Sequence, residues 1–164
     1  MIFGMTPYTL VHVVISLVGI LSGLVVLFGL VVGKRLDGWT EIFLTTTVTT
    51  SVTGFGFPFH GITPAIVVGI ISLAVLAVAL YALYGRHLSR AWSKIYVVGA
   101  LVALYLNVFV LIVQLFLKVP GLKALAPTQT EPPFKLTQLA VLVVFAVLTV
   151  VASIRFHSET LRTV

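Results

Sequence analysis

Asn107 and Gln114 stand seven residues apart in an otherwise apolar stretch. On a helix they project from nearly the same face, in line with Ala100 and Ala103. An unpaired amide costs several kcal/mol in hydrocarbon, so each is expected to meet a hydrogen-bonding helix, or a ligand, an ion or water. The threonines of an earlier segment are the nearest partners by type. Thr46, Thr50 and Thr53 form one stripe at helical spacing and Thr45 and Thr49 an adjacent one, and with Asn107 and Gln114 they could line a polar path. A helical threonine can also bond back to its own chain and face lipid.

The histidines fall into two sets. His12 and His60 lie towards one membrane surface, and neutral imidazoles there could hold a b-type haem from opposite faces. No cofactor is expected: the plainer reading is of interfacial histidines bonded to backbone or headgroup, with haem b as the alternative. His87 and His157 fall in a polar loop and tail. The carboxylates are Asp37, Glu41, Glu131 and Glu159, and none belongs to a hydrolase, phosphate-loop or metal-binding motif. With no cysteine, thiolate metal sites, iron–sulfur clusters and cysteine nucleophiles are excluded. Catalysis is not expected.

Ser51-Val52-Thr53-Gly54-Phe55-Gly56 resembles the filter of potassium channels, where carbonyls of a Thr-Val-Gly-Tyr-Gly stretch replace an ion's water. It departs from that pattern because Thr53 intrudes between Val52 and Gly54 and no Asp follows Gly56. The resemblance implies a re-entrant segment, which would carry Lys34 and Arg35 across the membrane and erase the charge asymmetry described below.

These residues must be positioned by membrane helices. Of 164 residues, 60% are hydrophobic and only 9% charged, against about 25% charged in a soluble domain. The expected fold is an all-α, polytopic transmembrane bundle. Its spans are about residues 8–32, 39–57, 64–84, 92–117 and 134–154, with a proline-broken outer loop at 118–135. The whole of 1–164 reads as one membrane domain without an internal repeat. The start lacks a signal peptide's basic residues and reads as a retained span. In the outer loop, residues 119–125 could make a short surface helix with its leucines down.

Although the net charge is +6, the basic residues punctuate span ends rather than form a nucleic-acid patch, so no nucleic-acid partner is expected. With five spans, Lys34, Arg35, Arg86, Arg90, Lys94, Arg155 and Arg162 share one side and Lys118, Lys123 and Lys135 the other. The positive-inside rule then places the C-terminus in the cytoplasm and the N-terminus outside, as in a bacterial inner membrane.

Small residues suit close helix packing: Ser16, Gly19 and Gly23, with Gly29 and Gly33, in the first span; Ala65, Gly69 and Ser72 in the third; Gly99 and Ala103 in the fourth. They serve packing within the chain or a homo-oligomer. The leading expectation is a small membrane protein acting through helix association or as a subunit of a membrane assembly. The alternatives are a channel or transporter lined by the span-two threonines, Asn107 and Gln114, and a haem electron carrier using His12 and His60.

Overall fold

The computed structural model describes residues 6–58 and 64–162, and among them there is no strand. Six helices follow in order: α1 (Pro7–Val31), α2 (Asp37–Gly54), α3 (Pro64–Leu80, continued by a π-helical turn over Tyr81–Gly85), α4 (Trp92–Lys118), α5 (Pro120–Leu125) and α6 (Pro132–Arg162). Four helical segments are long and apolar enough to cross a membrane: Pro7–Val31, Ala65–Gly85, Trp92–Lys118 and Pro132–Phe156. The chain is thus an all-helical integral membrane protein. By length and composition α2 falls outside that set, because its threonines dilute the apolar character.

Local signals explain the boundaries. Thr6 caps α1, its hydroxyl accepting from the Thr9 N–H at 3.2 Å, with Pro7 at the first helical position. At the other end Gly33 takes a left-handed φ of 81°. The Lys34 N–H then reaches the Gly29 carbonyl at 2.8 Å and the Gly33 N–H reaches that of Leu30 at 3.1 Å, closing a Schellman turn. Gly29 and Gly33, spaced as for a helix-packing face, therefore build the α1–α2 turn instead. Arg35 and Asp37 form an exposed ion pair just beyond it.

α1 and α2 are antiparallel and stay in register along their whole length. Gly29 abuts Leu36, Gly23 abuts Phe43, and Gly19 abuts Thr46 and Thr47. Ser16 reaches Thr50, His12 reaches Thr53, and the Tyr8 hydroxyl donates to the Thr53 carbonyl at 2.5 Å. The segment that resembles a channel filter is helical through Gly54 and part of this pair.

The remaining helices close around the pair. Gly99 on α4 would place a Cβ 3.1 Å from that of Ala79 on α3, so these backbones meet closely. α6 packs on α4 through Tyr105–Phe145 and Tyr96–Phe156, and Arg155 donates to the Val31 carbonyl of α1. The core holds Val26, Leu30, Phe43, Leu76, Tyr96, Val97, Leu101 and Leu104, each 0–2% exposed. Outward faces are apolar too: Val14, Leu21 and Phe28 on α1, Ile70 and Val78 on α3, and Leu136, Val143, Val147 and Ile154 on α6 are all exposed. Such a surface suits lipid.

The loop after α4 is built as well. α5 occupies 120–125 as expected, though Leu125 is exposed and Leu122 packs towards Ile112, Phe116 and Ala126. Gln129 ties it down through a bond to the Val113 carbonyl at 2.9 Å. Desolvation tends to raise the Glu131 carboxyl pKa, but bonds from the Thr128 hydroxyl and the N–H groups of Thr128 and Thr130 outweigh it and hold the pKa below the usual carboxylate range. A depressed folded-state pKa contributes stability that is complete above the unfolded value and lost as pH falls through the folded one. Amide exchange at Thr128 and Thr130 should therefore accelerate, relative to intrinsic rates, as pH drops through the acid range. In Glu131→Gln this pH-linked change disappears.

Candidate functional site

At the end of the bundle where α1 begins and α4 ends, α1 to α4 splay apart around a cavity of about 820 Å³. Its walls are set by which faces carry small side chains. On α3 the stripe Ala65, Gly69 and Ser72 lines it, and Gly69 is backed by the Phe55 ring, which a Cβ would approach to 3.1 Å. Bulky residues at these positions would fill the space.

Two polar stripes face this cavity. On α1 these are Thr9, His12 and Ser16, and on α4 Asn107, Gln114 and Lys118, while α2 adds Thr50 and Ser51. From the mouth the stripe on α1 descends about 10 Å and that on α4 about 16 Å, at 1.5 Å rise per residue, and the floor lies two turns below Ser16 on α1. There Gly23, Phe43 and Leu104 meet. A Cβ on Gly23 would lie 2.5 Å from a Leu104 methyl and 2.8 Å from the Phe43 ring, and both side chains are fully buried. The cavity is therefore blind.

Hydrogen bonds fix the orientation of several lining groups. The Thr53 hydroxyl has one proton, which goes to the Thr49 carbonyl at 2.7 Å. Towards His12 it therefore accepts, so Nδ1, 2.9 Å away, carries a proton, which in the neutral ring leaves Nε2 as an acceptor. The edge-on Phe57 ring, with centroids 4.9 Å apart, braces the imidazole. Ser16 donates to the His12 carbonyl at 2.7 Å and lies 3.4 Å from the Thr50 hydroxyl. Deeper in, the Asn107 amide donates to the fully buried Thr47 hydroxyl at 3.3 Å.

The residues singled out in the sequence separate into groups. Thr50, Asn107 and Gln114 come together on the cavity wall, joined by Ser16, Gly69 and His12. Thr53 acts one step behind, through His12. Thr46 is spent on its own helix, donating to the Ile42 carbonyl at 2.6 Å, and packs on Gly19. Gly19, Gly23, Gly99 and the fully buried Ala103 pack within the chain and not on the cavity. His60, the other half of the haem pair, lies outside the described residues. Among the described residues, no group of three or more His, Asp or Glu side chains could hold a metal ion.

Several lining residues were not singled out as site residues. Ser51 and Lys118 give little sign in a linear reading. Ser72 did carry one, since it ends the small-residue stripe of α3. Chemically, the cavity offers hydroxyl and amide donors and acceptors plus the His12 imidazole, between walls such as Val13, Val68, Val110 and Leu111. Among the described residues that line it, Lys118 is the one cation and there is no carboxylate. No protein-family model, curated protein or solved structure matches the chain.

Proposed function

We propose that the chain is a five-span membrane protein, N-terminus outside and C-terminus cytoplasmic, that binds a small molecule in the blind cavity at its outer end. The cavity carries the reading: about 820 Å³ falls within the roughly 300–1,000 Å³ of small-molecule sites, which are mostly apolar with a few convergent polar groups. The packed layer at Gly23 favours binding over an open pore.

The register of α1 and α2 supports α2 as the fifth span. From Tyr8 to Gly29 the two stay paired over about 30 Å, the thickness of a hydrocarbon core. Three α2 threonines satisfy their hydroxyls on their own helix, Thr46 on Ile42, Thr49 on Thr45 and Thr53 on Thr49, which lowers the cost of placing them in lipid. A returning α2 also brings the start of α3 to the side where α1 began, and groups the seven basic residues on the cytoplasmic side. Gly19, Gly23 and Gly99, one ground for expecting association between chains, meet neighbours of the same chain.

The chain has no cysteine, so single cysteines report cleanly on the cavity. Val110 lines it and is partly exposed, whereas Ala100 lies below the packed layer and is fully buried. In proteoliposomes, a small water-soluble thiol reagent supplied on the outer side should modify Val110→Cys about a hundredfold faster than Ala100→Cys. Equal rates, or modification of Val110→Cys only from the cytoplasmic side, would refute the reading.

A further inference from the structure

Resting on that reading, we infer that the ligand is a lipid-soluble molecule with one apolar tail and an uncharged, oxygen-bearing head, admitted sideways from the bilayer between α1 and α4. Three observations converge on it.

The first is a gap in the wall. Leu17 on α1 and Leu115 on α4 both line the cavity, yet they are 42% and 40% exposed. α6 could cover the space between them but does not reach it. Near its start α6 stays on α4, through Phe116–Phe134 and the Gln138 amide bond to the Phe109 carbonyl. It is tied to α1 at the opposite end, through Arg155 and Val31, and none of its described residues lines the cavity. An opening between these two leucines would face hydrocarbon, a surface that suits an apolar tail.

The second is the absence of deep charge. Among the described residues the wall away from the rim is polar but carries no full charge, with Ser16, Thr50 and Asn107 on it, while Lys118, the one cation among the described lining residues, is exposed at the rim. A charged head drawn down to Asn107 would find no counter-ion in a low-dielectric setting. An uncharged head finds what it needs: His12 Nε2 accepts from a hydroxyl, and the amides of Asn107 and Gln114 donate to oxygen. The third is size. The volume exceeds what a small polar head fills, and the walls around Val13 and Val68 suit the first carbons of a tail.

The test measures protection of Val110→Cys in the full chain reconstituted in nanodiscs, with monoolein and farnesol as uncharged single-tailed probes, glycerol as a head without a tail, and oleate at pH 9 as a tail with a charged head. Monoolein or farnesol should slow modification about tenfold, with glycerol inert and oleate weaker. Replacing both leucines, Leu17→Trp with Leu115→Trp, should slow the onset of protection about tenfold when normalised to the rate at which the aqueous reagent modifies Val110→Cys in the same doubly substituted background. If Val110→Cys is modified but neither neutral probe protects it, the ligand class is wrong and the cavity stands. Equal protection by glycerol overturns the tail, stronger protection by oleate overturns the uncharged head, and onset unaffected by the tryptophans overturns the lateral route. If Val110→Cys is not modified from the outer side at all, the binding reading itself fails.

Discussion

Gly23→Val is expected to destabilise the bundle by roughly 2–4 kcal/mol, the upper range for overpacking a filled core. Even the first added carbon would sit 2.5 Å from Leu104 and 2.8 Å from Phe43. Neither side chain has room to retreat, since both are fully buried among Val26, Leu101 and Ala103. The helices must then separate where α1, α2 and α4 come closest and where the cavity ends. Denaturant unfolding in mixed micelles measures the loss. Because the same layer closes the cavity floor, the variant should also make Ala100→Cys reactive from the outer side. A change within 0.5 kcal/mol, the usual scale of an inconsequential surface substitution, would show that the contact is looser than the geometry states.

Gly33→Val should cost about 2–3 kcal/mol, by a different route. At φ 81° a side chain pays roughly 1–2 kcal/mol for the left-handed conformation, and a β-branched one fits there least well. Gly33 is also buried, so the valine has little space. Losing the turn releases the Lys34–Gly29 bond and, with it, the register of α1 against α2. Gly38 provides the contrast, because a Cβ there meets nothing within 4 Å and the residue lies in the first turn of α2. Gly38→Ala should stabilise the same preparation, by up to about 1 kcal/mol. If both variants unfold alike, backbone conformation is not what makes Gly33 necessary.

Much of the architecture was legible because hydrocarbon imposes a simple rule: long apolar runs become helices, and Gly33, Gly38, Pro64, Pro120 and Pro132 punctuate them. The last helix runs beyond the expected 134–154, to Arg162, since no glycine or proline stops it when it leaves the apolar layer. The cavity was only half legible. Asn107, Gln114 and Thr50 stood out as polar groups in greasy segments, and the wall residues Gly69 and Ser72 as small ones. What linear spacing could not supply is which small residues meet a neighbour and which leave space. Gly19 and Gly99 are filled by Thr46 and Ala79, while Gly69, though backed by Phe55, also lies on the cavity wall, and nothing in their spacing distinguishes them. The role of Gly29 and Gly33 was hidden for the same reason, because Gly-x-x-x-Gly spacing also fits a helix that ends in a Schellman turn. The link between His12 and Thr53 spans 41 residues and depends wholly on the α1–α2 register.

The proposal that α2 crosses the membrane rests on that register, and the outward opening of the cavity depends on it in turn. Gly38, in the first turn of α2, and Pro58, four residues beyond its last, are both exposed, so cysteines placed there singly can be probed from either side of sealed, oriented vesicles with an impermeant reagent. If α2 crosses, Gly38→Cys reacts only from the cytoplasmic face and Pro58→Cys only from the outer face. Reaction of both from one face would mean that α2 does not span the bilayer, and the proposed cavity would lose its outward opening.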